Sequence, residues 1–496
     1  MAPRRPAAGL GLAAALATAA VLAVSCRENG GAPEPAGGGS TLRATYVDRD
    51  GDGTLERGPG EPLRDRTDLA PAEPPGRVLG SVGIVTDVHV RDEESPARPA
   101  FLDRLGPPFS ATFRPHEALS LQVLGAAVRA LDAARPDAVV VNGDLIDNAQ
   151  ANEMAQARRT LDGGLVRPDS GAPGYQGLQR AGNPDPAYYR PDVDPPRHPG
   201  ILAAAQRPFR SPGLRAPWYP VAGNHDLLVA GELARTPGTA ALALGDRVLV
   251  SPAPSLSIGT SEDALSAATV DRLLRDGLPG RTARVAPDPA RRQLTPRQAV
   301  AALRPRSEAR LHYTFDVGPR VRGIVLDTVR RARGAGGVAT PGEIAFLRRE
   351  LARAGDRWVI MFSHQPLHRV RGAAPLVRLL DRDPRVLAAV AGDTHHNRIE
   401  PRRTAAGGYW TLTTAALADF PQQARMLQVR EAPGGGAVLE TWMLDTASDP
   451  LADTARALAY LDAQGGRPDR DAGRRIDRNV RLFRSPPTPP PAPLRR

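Results

Sequence analysis

The chain has no lysine: every basic side chain among its 496 residues is arginine. That pattern reflects genomic base composition rather than mechanism. Cysteine is almost as scarce. Cys26 is the only one, so an intrachain disulfide is excluded. Aromatic residues make up 4% of the chain, and no basic stripe is interleaved with them. The net charge of +11 therefore does not point to nucleic acid. Part of that charge sits at the end of the chain, where residues 466–496 hold nine arginines against three aspartates. The closing "RSPPTPPPAPLRR" cannot pack a core, and residues 485–496 read as a disordered proline-rich tail. Long apolar runs are also missing. Beyond the N-terminus, no segment reaches the roughly 18 residues that a membrane-spanning helix needs.

The N-terminus itself has such a run. Arg4 and Arg5 precede "AAGLGLAAALATAAVLAVS", and small residues lead to Cys26. Residues 1–25 read as an export signal. "LAVSC" resembles a bacterial lipoprotein cleavage box, which implies a lipid on Cys26 and a chain exported to the outer face of the membrane. An ordinary secretory signal or an uncleaved anchor are the alternatives. The paired arginines leave both the general and the twin-arginine export route open. Residues 26–75 read as a tether, beginning with the flexible "RENGGAPEPAGGGS". Within it, Asp48, Asp50 and Asp52 alternate ahead of Gly53, like the first half of a calcium loop. The twelfth position is Pro59 instead of glutamate, so Glu56 or Glu61 would have to complete the shell.

From residue 76 to about 450 the pattern is α/β. Apolar strand runs such as "DAVVVNGDLID" and "RWVIMFSHQP" alternate with helical periods such as "EALSLQVLGAAVRALDAARP". The end is β-rich, and "RMLQVREAPGGGAVLETWML" reads as a hairpin. Residues 451–484 are expected to form a C-terminal helical extension. Two long irregular inserts, 151–215 and 230–308, are candidate lids or walls of a site, with a floppy insertion as the alternative.

Five polar clusters each follow an apolar strand. They are Asp87-Val88-His89, Gly143-Asp144, Gly223-Asn224-His225-Asp226, Ser363-His364 and Gly392-Asp393-Thr394-His395. Ligands in open α/β sheets gather at the carboxyl ends of strands. Clusters spread over 300 residues can therefore meet at one place. Their oxygen and imidazole donors suit manganese, iron or zinc, and a carboxylate such as Asp144 can bridge two ions. Two ions clamp a phosphoryl group and share a water that becomes the nucleophile near neutral pH. His225 is placed to assist the leaving group, with Asp226 as its orienting carboxylate.

The order D-x-H, G-D, G-N-H-D, S-H, G-x-x-H resembles the calcineurin-like metallophosphoesterase superfamily over residues 78–415. The segments "DEESPARPAFLDR", "NGDLIDNAQANE" and "LADTARALAYLDAQ" are similar to those of a bacterial exported group with long inserts between motifs. The resemblance implies a four-layer α-β-β-α sandwich around a dinuclear metal centre, and a phosphomonoester or phosphodiester substrate. It places Asp87, His89, Asp144 and His395 on one metal, and Asp144, Asn224, His364 and Asp393 on the other. His225 would contact the phosphate and the leaving group. The superfamily loop is G-H-x-H, and here Asp393 stands where the first histidine belongs. Three readings stay open: Asp393 ligates the second metal, it is too short and that ion binds weakly, or His396 substitutes for it. Two other classes compete with the enzyme: a catalytically weak binding protein for a phosphorylated ligand, and a calcium-dependent surface interaction protein. Oligomeric state is not legible.

Overall fold

The computed structural model describes residues 39–105, 112–253, 280–304, 310–466 and 472–487. The expected signal, Cys26 and the proline-rich end from residue 488 lie outside the described residues. So does the first part of the tether. Among the described residues no helix is long and apolar enough to cross a membrane.

Two mixed sheets face each other. The first has seven strands, in the order Arg64–Arg66, Val480–Arg484, Ala437–Asp445, Gln423–Glu431, Val78–Val85 (β1), Ala138–Asn142 (β2) and Trp218–Val221 (β3). The second has six, in the order Tyr313–Val317, Val321–Val325, Trp358–Phe362 (β4), Val386–Ala391 (β5), Tyr409–Thr413 and Arg398–Arg402. Their inner faces share one apolar layer, in which Ile84, Val140, Ile360, Phe362, Val390 and Trp410 are all buried. Helices Ser120–Ala134, Ala151–Asp162 and Pro450–Gln464 pack on the outside of the first sheet. Helices Pro341–Ala352 and Ala374–Arg382 pack on the outside of the second. The result is the four-layer α-β-β-α sandwich. Strands buried on both faces explain the near-continuous apolar runs of β2 and β4.

The central strands run parallel, with Val82 opposite Ala138, Val139 opposite Trp218 and Ile360 opposite Ala388. All five polar clusters therefore emerge at one end of the sandwich. Gln423–Glu431 and Ala437–Asp445 form the expected hairpin.

Two segments differ from expectation. By residue 44 the tether is part of the fold. Ala44–Val47 pairs with Glu56–Pro59, and Arg64–Arg66 joins the first sheet beside Val480–Arg484. The C-terminal segment is only partly helical: after Pro450–Gln464 it returns as that sheet strand, with Val480 and Leu482 turned into the core. The described parts of the inserts pack. Tyr188, Val248 and Val285 form a small core with Phe113, and Tyr188 Oη donates to Val250 O at 2.9 Å.

Candidate metal centre

Beyond β1 and β2 the backbones stay paired, with Asp87 N donating to Gly143 O and His89 N to Asp144 O, both at 3.0 Å. The chain then bends sharply. Asp87, His89, Asp144, Asp393 and His395 all adopt the left-handed backbone conformation (φ 47–64°). Non-glycine residues rarely take it, and such strain collects where side chains must be aimed at a site. Gly143 shares that backbone state, and a side chain there would run into the His364 ring. The two sheets are also tied together here. Asn142 Nδ2 donates to Ser363 O at 3.3 Å.

Each histidine is held from behind. His364 Nδ1 is 2.9 Å from Asn142 O, and His89 Nδ1 is 2.9 Å from Asp147 Oδ1. His395 Nδ1 bonds Asp419 Oδ2. Such partners fix tautomer and ring orientation, which leaves each Nε2 to face the centre. His89 Nε2 and His395 Nε2 lie 3.3 Å apart, and His395 Nε2 is 3.4 Å from Asp87 Oδ1. His364 Nε2 lies 3.1 Å from Asp144 Oδ2 and 3.9 Å from both Asp87 Oδ1 and Asp393 Oδ1. It is fully buried, yet it makes no hydrogen bond of normal geometry. Three groups result in which every donor atom is within 4.8 Å of the others: Asp87, His89 and His395; Asp87, Asp144 and His364; and His89, Asp147 and His225. Asp87 belongs to the first two. Asp144 Oδ2 also reaches to 3.9 Å of His89 Nε2, so both carboxylates stand between the two halves.

The electrostatics follow from this crowding. Burial opposes charge on Asp144, but His364 and then His225 prevail and hold its carboxyl below the usual range. Burial likewise opposes charge on His364, but Asp144, then Asp87 and Asp393, keep the imidazole well above its ordinary value. His89 moves the other way: burial first, then neighbouring His225, lower it to about 4.

The remaining sequence-predicted residues divide. Asp393 reaches the centre through Oδ1, while its Oδ2 accepts from Arg369 Nη1 at 3.1 Å. Asn224 is buried, but its Oδ1, the atom that would ligate, accepts from Gln365 Nε2 at 3.2 Å. One lone pair of that oxygen is left. His396 is turned away into a groove on the outer face of the second sheet.

His225 is the most exposed histidine of the group, at 23%. Its ring packs edge-on against His89 with centroids 4.5 Å apart. The expected orienting role of Asp226 is corrected. Asp226 is fully buried and accepts from Gly223 N (2.9 Å) and Ile146 N (3.1 Å), so it braces the turn into the short helix Asn224–Leu227. Neighbours i and i+1 on a helix do not face each other. Asp147 holds His225 instead: its carbonyl is 2.7 Å from Nδ1. Asp144 and Asp147 outweigh burial and raise His225 to about 9. Gly231 lies against the ring, where a side chain would collide with it.

Asp147 and Asp419 were not singled out as site residues. Asp147 also accepts from Arg91 Nη2 at 2.9 Å, and Asp419 is clamped by Arg114. In the acidic loop the carboxylates of Asp48, Asp50 and Asp52 lie within 4.8 Å of one another. Neither glutamate completes it: Glu56 pairs with Arg49, and Glu61 accepts from Arg478 Nε at 2.9 Å.

No family model matches the chain, and no curated protein does. Among solved structures, a dimetal phosphatase from Danio rerio overlays with a TM-score of 0.36 at 14% identity, covering 75% of this chain and 100% of that one. The sulfate thiohydrolase SoxB of Thermus thermophilus, in complex with glycerol, gives 0.30 at 13%, covering 79% and 61%. At these values neither likeness carries an argument about activity.

Proposed function

We propose that the chain is a metal-dependent hydrolase of phosphate esters. Asp87, His89, Asp144 and His395 would hold one divalent ion, and Asp144, Asn224, His364 and Asp393 the other. One observation carries this reading: a fully buried imidazole nitrogen, His364 Nε2, is aimed at three carboxylates at 3.1–3.9 Å and makes no hydrogen bond of normal geometry. Buried polar atoms are rarely left so, and each exception calls for a partner. The donor set fits manganese, iron or zinc.

When bound, such ions supply Lewis-acid polarisation of a phosphoryl oxygen and an acidified water. The protein does the rest. Asp147, Asn142 and Asp419 fix the three imidazoles. In the metal-free protein Asp144 and Asp147 raise His225 to about 9, and it stands at the partly open side, where it can deliver a proton to a leaving oxygen. Asp144 Oδ1 also accepts from His225 N at 2.8 Å, which couples the carboxylate between the two halves to the proton donor's backbone.

The test is metal content and turnover of bis(4-nitrophenyl) phosphate on the same preparation, wild type beside Asp144→Asn. The expected result is two ions per chain with turnover in the wild type, and loss of both in the variant. A wild type that turns over with no bound metal contradicts the reading. We also place the protein outside the cytoplasm, lipid-anchored through Cys26, on the pattern of residues 1–26 alone. Palmitate labelling lost in Cys26→Ser would support this, and equal labelling of both would contradict it.

A further inference from the structure

Beside the metal loop, on the outer face of the second sheet, lies a groove of about 1070 Å³. That is the size class of small-molecule sites, roughly 300–1,000 Å³. Ser363, Thr394 and His396 form its inner end. They are the chain neighbours of His364, Asp393 and His395. The walls carry Arg369, Arg398, Arg402 and Arg403 against one acid, Glu400. Arg398 is paired with Glu400 (2.6 Å) and Arg402 with Asp381 (2.6 Å). Arg403 has no carboxylate partner among the described residues.

Arg369 stands where groove and centre meet. Its Nη1 donates to Asp393 Oδ2 at 3.1 Å, while Asp393 Oδ1 faces His364 Nε2. The two partners differ in setting: the Asp393 side chain is 6% exposed and that of Arg369 53%. A half-exposed ion pair is held weakly. A guanidinium has five donors in a planar fork, and this contact uses one of them. Asp393 brings a carboxylate to the centre, and Arg369 is the arginine that pairs with it.

We propose that the groove receives the leaving-group half of the substrate, that this leaving group carries an anionic group of its own, and that Arg369 selects it by turning from Asp393 to the ligand. The inference rests on the phosphoesterase reading and narrows its substrate class. The groove matches such a ligand in charge, through its arginines, and in body, through an apolar floor that includes Met361 and Ala389.

The test uses the manganese-loaded full chain and two chromogenic esters, 3-carboxy-4-nitrophenyl phosphate and its 3-carboxamide. The wild type is expected to prefer the carboxylate through KM. Arg369→Ala should reduce that preference about tenfold, the scale of one charge-assisted hydrogen bond at a partly exposed site. Arg369→Lys should restore part of it. Calorimetry with 5-hydroxy-2-nitrobenzoate, the leaving group alone, should show the same weakening without any turnover. The proposal is overturned if the wild type treats both esters alike, or if Arg369→Ala lowers kcat equally for both, since Arg369 then only steadies Asp393. If neither ester is hydrolysed, calorimetry decides. Binding that depends on Arg369 keeps the groove and removes the phosphoesterase reading, and no binding overturns the proposal.

Discussion

The carboxylates of Asp87 and Asp144 and those of Asp48, Asp50 and Asp52 both belong to groups gathered within 4.8 Å, yet their surroundings differ. In the acidic loop the backbone satisfies the acids. Asp48 accepts from Gly51 N (2.8 Å) and Gly53 N (3.0 Å), and Asp52 from Thr54 N (2.7 Å). Asp50 and Asp52 are exposed. At the centre the acids are buried and face imidazole nitrogens, among them His364 Nε2, which makes no hydrogen bond of normal geometry. Each imidazole is fixed by a second acceptor behind it. The difference teaches that proximity of acids does not make a site. A site needs donors left open on one side because they are held on the other.

The largest effect that sharpens this contrast is at His225, the most exposed histidine of the group. His225→Ala should keep both ions and lose about 10²–10⁴ in kcat, the usual range for a positioned proton donor. Release of the ions by this change would make His225 a ligand and dissolve the distinction between holder and donor. The wild-type rate should also fall as pH rises, because a general acid works only while protonated. The His225 proton is lost near pH 9 in the metal-free protein. Bound cations lower that value, so the alkaline limb should lie below 9.

A smaller effect is expected behind the site. Asp419 accepts from His395 Nδ1 and from Arg114 Nη2 (3.0 Å), and it is fully buried. Asp419→Asn should weaken metal binding by about 10–100-fold, as loss of such outer partners does. Equilibrium dialysis against manganese reads this directly. Affinity unchanged within twofold would mean that His395 needs no support, and the contrast with the acidic loop would lose its physical basis.

These positions also show how far the sequence could be read. Apolar strands that end abruptly in D-x-H or G-D carry their signal locally, so Asp87, His89, Asp144, His364 and His395 were legible. The parallel sheets then bring them together, as the alternation of strand and helix implied. Asp147 and Asp419 were not legible as supports. Their role is defined by which Nδ1 they face across 58 and 24 residues of chain, and no spacing records that. Asp226 follows His225 in sequence, but neighbours on a helix do not face each other, so it braces the turn instead. Arg64–Arg66 and Glu56–Pro59 escaped because edge strands of charged residues show no apolar alternation. Val480–Arg484 does alternate into the core, but it was absorbed into the helix before it.

The smallest expected effect lies at the acidic loop, and it tests the contrast from the other side. A ligand present at one hundred times its Kd adds about 2.7 kcal/mol to stability, which a melting curve reads as a rise of several degrees. Asp48 already spends both oxygens on backbone N–H groups, and Tyr460 Oη adds a third donor at 3.1 Å. Glu61 is committed to Arg478. An incoming calcium ion would have to displace these partners. Calcium at about 10 mM should therefore raise the melting temperature by less than about 1 °C, and Asp50→Asn should change stability by no more than about 0.5 kcal/mol, the range of ordinary surface substitutions. A rise of several degrees that disappears in Asp50→Asn would show that an exposed and internally satisfied acidic turn can be a built site. The open-donor criterion that separates the two regions would then have to be given up.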